Sequence, residues 1–162
     1  MILVGYPAIG KSSSPEWVDL ESSCFQVYGQ KPDNWEQMYV NVAETLDYQN
    51  LVIFLSSHKE VRNELQRRCI PYTVVYPSLK LKENWIDRLC DRMETTLSDK
   101  DYKAYNRALN YYEEDIEDLM QEENRIELDS MDYNLEELVL NLITSPIKSV
   151  CDNANTKLKS IN

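Results

Sequence analysis

The feature that most constrains this chain is a short apolar run, Ile2 to Val4, that leads directly into Gly5-Tyr-Pro-Ala-Ile-Gly10-Lys11-Ser12. A strand followed by Gly-x-x-x-x-Gly-Lys-Ser is a phosphate-binding pattern with a physical basis. The glycines let the backbone bend so that successive N–H groups point inward at phosphate oxygens. A helix opening at Gly10 adds partial positive charge from its N-terminus. Lys11 then reaches the β- and γ-phosphates of a nucleoside triphosphate, and the Ser12 hydroxyl is a magnesium ligand. Gly5, Ala8, Ile9, Gly10, Lys11, Ser12 and Ser13 are therefore the candidate nucleotide contacts, with ATP and Mg2+ the expected ligands. The chain has only three glycines and two of them stand here, so a chance match in a glycine-rich loop explains little.

A chain of 162 residues suits one domain with a sizeable core, placed at residues 1–146, with residues 147–162 a polar C-terminal tail. The start lacks the basic flank of a signal peptide, Gly5 and Pro7 interrupt its apolar run, and no run reaches membrane length. Cys24, Cys69, Cys90 and Cys151 are widely spaced beside a single histidine. They read as thiols in a reducing compartment and not as a disulfide framework or zinc site. A cytoplasmic location with no membrane partner is expected. The net charge of −11 argues against extended nucleic-acid binding, which draws on Lys and Arg. It leaves room for a small anion in a local cationic pocket.

Along the chain, Pro15 limits any helix after the loop to one turn or two, and Trp17 to Leu20 reads as a second short strand. Asp19 and Glu21 then stand at the strand's carboxyl end, where ligands bind in parallel sheets. Asp19 is the candidate magnesium ligand and Glu21 a candidate substrate contact, although an Asp there can also cap a turn. Gln26 to Pro32 reads as a loop. Asp33 is a candidate cap for a helix from Asn34 to about Gln49, with Trp35, Met38, Tyr39, Val42 and Leu46 inward. Leu51 to Leu55 has the uninterrupted apolar character of a strand buried on both faces. His58 and Arg62 sit four apart at the next helix start, and serve either as substrate contacts or as solvated helix residues.

Pro71 to Tyr76 is a further strand stopped by Pro77. A helix then places Arg88 and Arg92 on one face, with Trp85, Leu89 and Met93 packed. That cationic face suits the charge that spreads over a transferring phosphoryl group. Ordinary surface pairing with Glu83, Asp87 and Asp91 is the plainer alternative. Asp99 to Glu123 reads as a long helix with Tyr102, Tyr105, Leu109, Tyr112, Ile116 and Leu119 as its stripe and a solvated acidic block from Glu113. Arg125 to Leu128 is a strand candidate. Asn134-x-x-Glu137 has the outline of a capping box for a last helix that Pro146 ends.

Strands alternating with helices after a phosphate loop imply a parallel α/β sheet. The segments Gly-Tyr-Pro-Ala-Ile-Gly-Lys-Ser, Val-Asp-Leu-Glu-Ser-Ser, Phe-Leu-Ser-Ser-His and Val-Val-Tyr-Pro, with Trp85-Ile-x-Arg-Leu, resemble the small P-loop kinase-like proteins of phages and their bacterial hosts. More distantly the layout is similar to nucleoside monophosphate, shikimate and gluconate kinases. The resemblance covers about residues 1 to 143. It implies a three-layer P-loop NTPase fold with a five-stranded parallel sheet in the order 2-3-1-4-5. It also implies transfer of the ATP γ-phosphate to a small acceptor. Lys11, Ser12 and Asp19 match the phosphate, magnesium and acidic positions of that family. Arg88 and Arg92 match its lid, here residues 80–98, and Arg62 sits where acceptor-binding arginines tend to lie. The chain departs from the family at strand three, which ends in Ser-Ser-His instead of aspartate.

The expected function is thus an ATP-dependent phosphotransferase for a small acceptor, above all a nucleotide or nucleoside, with Lys11, Asp19, Arg88 and Arg92 catalytic. The alternative is a non-catalytic nucleotide-binding protein of phage type whose acidic helix engages a host protein partner.

Overall fold

A computed structural model describes residues 1–144; the polar tail and the helix stop at Pro146 lie outside the described residues. Five strands, β1 (Ile2–Gly5), β2 (Val18–Asp19), β3 (Ile53–Ser56), β4 (Tyr72–Pro77) and β5 (Arg125–Leu128), form one all-parallel sheet in the order β2-β3-β1-β4-β5. The central strand β1 pairs on both sides, with Gly5 level with Ser56 and with Val75. Five α-helices flank it: α1 (Trp35–Asp47), α2 (Lys59–Arg67), α3 (Lys82–Thr96), α4 (Asp99–Leu119) and α5 (Leu135–Thr144). The expected three-layer α/β fold and strand order are both present. Among the described residues no helix is long and apolar enough to cross a membrane, and Cys24, Cys69 and Cys90 are free thiols.

The apolar runs make the inner strands because only a sheet covered on both faces tolerates them. Leu3, Val4, Ile53, Phe54, Leu55, Val74 and Val75 are all fully buried. The crossovers β2–α1–β3, β3–α2–β4 and β4–α3–α4–β5 all move the same way across the sheet, so right-handed connections bring their helices to one face. Arg62 of α2 cements that layer by pairing with Asp118 and Glu122 at the end of α4. The connection from β1 to β2 moves the opposite way.

The helix after the loop is as short as Pro15 implies, a single 3₁₀ turn over Lys11–Ser13, and the chain then passes to β2. Several local expectations are corrected. Asp33 caps nothing among the described residues; Asn34 holds the N-cap of α1 without a side-chain bond. The buried face of α1 is Trp35, Tyr39, Val40 and Ala43, while Met38 and Val42 are exposed. It is thus rotated from the expected stripe. The Gln26 to Pro32 loop contains a tight two-residue turn: Val27 and Gln30 exchange both backbone bonds, with Tyr28 and Gly29 at positive φ, the combination of a type I′ turn. Helix α4 is broken at Tyr111 (φ −136°, ψ 19°). Its inward positions are Asp101, Ala108, Tyr112, Ile116 and Leu119, whereas Tyr102 and Leu109 face solvent. The acidic block is not wholly solvated either, because Glu122 is buried against Arg62. The capping-box outline is met at its first position, where Asn134 Oδ1 accepts from the Glu136 and Glu137 N–H groups.

Helices α3 and α4 form an antiparallel hairpin, tied by Lys82 to Glu113 near one end and Arg92 to Asp101 near the other. Residues 80–98 thus hold one α-helix, α3, which packs against α4. Ser98 caps α4 by accepting from the Asp101 N–H, and Asp101 in return accepts from the Thr96 and Ser98 hydroxyls.

Candidate functional site

The Gly5–Ser12 loop leaves β1 at the carboxyl edge of the sheet. Ala8 (φ 66°) and Gly10 (φ 94°) are both left-handed, which turns the loop back on itself. Tyr6 donates its N–H to Val75 O, and the next described backbone bond is Ser13 N–H to Gly10 O. Among the described residues, none accepts from the N–H groups of Ala8, Ile9, Gly10, Lys11 or Ser12. Five successive free amides in a bent loop form a concavity suited to an anion. Gly5 is needed for its lack of a side chain: a Cβ there would stand 2.5 Å from Ile9 Cδ1 and 2.9 Å from Lys11 Cδ. The Lys11 stem lies across that gap, and its Nζ donates to Gly5 O at 3.0 Å.

Two tryptophans hold the loop from outside. Trp85 Nε1 of α3 donates to Pro7 O at 2.9 Å, and Trp17 Nε1 donates to Lys11 O. Burial lowers Lys11 to about 8; Asp19 and then Glu21 act in the opposite direction. Lys100 and Arg92, both on the α3–α4 hairpin, lower it further, so this hairpin brings two cations within electrostatic range of the loop.

Ser12 Oγ donates to Asp19 Oδ2 at 2.6 Å, while Asp19 Oδ1 is buried without a partner. A hydroxyl, a carboxylate and an unsatisfied carboxylate oxygen are hard donors that fit magnesium, which is commonly held by one or two protein groups and completed by phosphates and water. No cluster of three or more His, Cys, Asp or Glu suited to a metal occurs among the described residues.

The other candidates divide. Glu21 is brought to the site, where it pairs with Lys100. Arg92 is engaged by Asp101. Arg88 turns toward the β5–α5 connection, donating to Tyr133 Oη at 3.0 Å and Met131 O, with its guanidinium 4.8 Å from the Trp85 ring centroid. Arg62 is buried in its pairs with Asp118 and Glu122 and is spent on joining α2 to α4. His58 lies at the carboxyl end of β3, with Nε2 3.3 Å from both Ser22 Oγ and Lys31 Nζ. Sequence reasoning missed Lys100, Lys31 and Ser22. No local pattern marks Lys100, whose partner lies 79 positions away.

The fold and this edge define a class: a parallel α/β protein with a bent loop of unpaired amides after its central strand, a hydroxyl–carboxylate pair beside it and a helical hairpin next to both. Within that class, no protein-family model and no curated protein sequence matches the chain.

Proposed function

We propose that this protein is an ATP-dependent phosphotransferase of the P-loop kinase-like group, acting on a small acceptor that is a nucleotide or nucleoside. The observation that carries the proposal is the loop itself, with five free amides and a desolvated lysine converging beside the Ser12–Asp19 pair. In this reading the amides and Lys11 bind the β- and γ-phosphates. Ser12 and Asp19 would hold magnesium, which when bound neutralises charge on the phosphate oxygens. Arg92 and Lys100 lend positive charge from the hairpin, and Arg88 fixes α3 against the β5–α5 connection. Glu21, freed from Lys100, orients the acceptor hydroxyl. Positioning and electrostatics supply most of the rate in such chemistry, so no covalent nucleophile is required.

The rival reading, a nucleotide-binding protein that engages a protein partner without turnover, draws support from the pairing of Arg62, Arg92 and Lys100 with carboxylates. Purified protein with ATP, Mg2+ and a panel of nucleosides and nucleotides separates the two. Acceptor-stimulated ADP release above a Lys11→Ala control is expected. Measurable ATP binding with no such release would leave the rival reading standing.

A further inference from the structure

The outward face of α4 serves neither the loop nor the core. Three large apolar side chains stand on it, Tyr102, Leu109 and Tyr111, and they are 59%, 48% and 48% exposed. Single exposed apolar residues are ordinary, but three within ten positions of one helix are what an interaction surface presents. The centre of the face is also fixed in place. Arg107 spans the break at Tyr111, donating its Nε to Asp115 Oδ2 at 2.9 Å, with its guanidinium 4.8 Å from the Tyr111 ring centroid. Side chains already held in this way lose less freedom when a partner arrives.

The charges of the face say which partner fits. After Asp99 at the first residue, its exposed cations Lys100, Lys103 and Arg107 precede Asn110, and its exposed carboxylates Glu113, Glu114 and Glu117 follow it. Lys100, Arg107 and Glu113 have partners within the chain. Among the described residues Lys103, Glu114 and Glu117 have no opposite charge within ion-pair distance. Lys103 and Glu117 each stand seven positions from Asn110, and all three are exposed. Seven residues make two helical turns, so the three share one side of α4. Two copies of α4 laid antiparallel across a two-fold axis at Asn110 therefore set each Lys103 against Glu117 of the other copy. Arg107 and Glu113, each three positions from Asn110, meet in the same register, with Leu109 and Tyr111 at the centre. A parallel pairing would face carboxylate with carboxylate. A second copy supplies both halves of the pattern with nothing added, whereas an unlike protein would have to carry its own complement.

We propose that this face of α4 is a homodimer interface, in which α4 packs antiparallel against α4 of a second copy about a two-fold axis near Asn110. The interface does not depend on what the loop binds. It lies one residue along from Tyr112, whose ring meets Tyr6 of the loop edge-on with centroids 5.9 Å apart, so the contact sits behind the loop.

Sedimentation equilibrium of the full chain tests it. The wild type should dimerise. Lys103→Glu and Glu117→Lys should each weaken the dimer at least about tenfold, because each sets two like-charged pairs across the axis. The two single variants mixed in equal amounts should associate again, and so should a chain carrying both changes, since each combination restores opposite charges. Circular dichroism matching the wild type would show that the variants fold. A wild type that stays monomeric at the highest concentrations reached overturns the proposal and leaves the face to an unlike partner. So does a dimer indifferent to both single changes, or a pair of dissociated variants that do not recombine on mixing.

Discussion

Lys11 should make nucleotide affinity depend on pH in a way few surface lysines could. In the free protein its ammonium is lowered to about 8 by burial, against the partial opposition of Asp19 and Glu21. A nucleotide phosphate brought against Nζ favours the charged form and raises that value, so binding takes up a proton wherever the free protein has lost one. Below pH 8 the lysine is charged in both states and affinity is level. Above it the free protein must be recharged on binding, and affinity falls. Between pH 7 and pH 9 the charged fraction drops from about nine-tenths to about one-tenth, so the Kd for ADP–Mg2+ should rise about tenfold, or about 1.4 kcal/mol. Titration calorimetry at the two pH values, in buffers of different ionisation heat, reads both the affinity and the proton count. Phosphate ionisation near pH 6 is complete over most of this range and would strengthen binding, which is the opposite trend. Lys11→Arg keeps a charge that does not titrate and should flatten the profile. Level affinity in the wild type with no proton uptake at pH 9 would refute the reasoning.

The same burial carries a stability cost in the free protein. Between about pH 8 and 10.5 the unfolded chain holds more protons on Lys11 than the folded one, so stability should rise with pH across that window, and Lys11→Met should stabilise the unliganded protein at pH 7 by up to about 3 kcal/mol in urea unfolding. Gly5→Ala forces its new methyl against Ile9 and the Lys11 stem; a loss of about 1–3 kcal/mol, together with weaker ADP binding, is expected from the same titrations. Arg62→Met leaves Glu122 buried without its cation and should cost about 3 kcal/mol or more while leaving the ADP Kd unchanged. A tenfold change in that Kd would return Arg62 to the site.

The strands were legible because each inner strand is a run too apolar for any place but a covered parallel sheet, whereas their order was implied only by the resemblance to small P-loop kinase-like proteins. Helix faces were read less well. The α1 stripe is rotated: Val40 and Ala43 are buried, and Met38 and Val42 are exposed. The break at Tyr111 lets α4 serve two neighbours, the α3 hairpin above and β4 below, which one period cannot express. In the candidate site, the residues contiguous in sequence were found: Gly5 to Ser12, Asp19 and Glu21. Arg62 and Lys100 were harder, because their roles depend on carboxylates 56 to 79 positions away. Arg62 looked available until Asp118 and Glu122 were in place, and Lys31 looked like loop polarity until Trp35 and His58 closed around it.

The chain's three tryptophans also make it its own optical sensor. Trp17 and Trp85 hand their indole N–H groups to backbone carbonyls of the Gly5–Ser12 loop, and Trp35 lies beneath the Lys31 ammonium. Indole emission responds to hydrogen bonding and nearby charge. Occupancy of the loop should therefore be read through Trp17 and Trp85, and single-tryptophan variants would time that event at each end of the loop without a label.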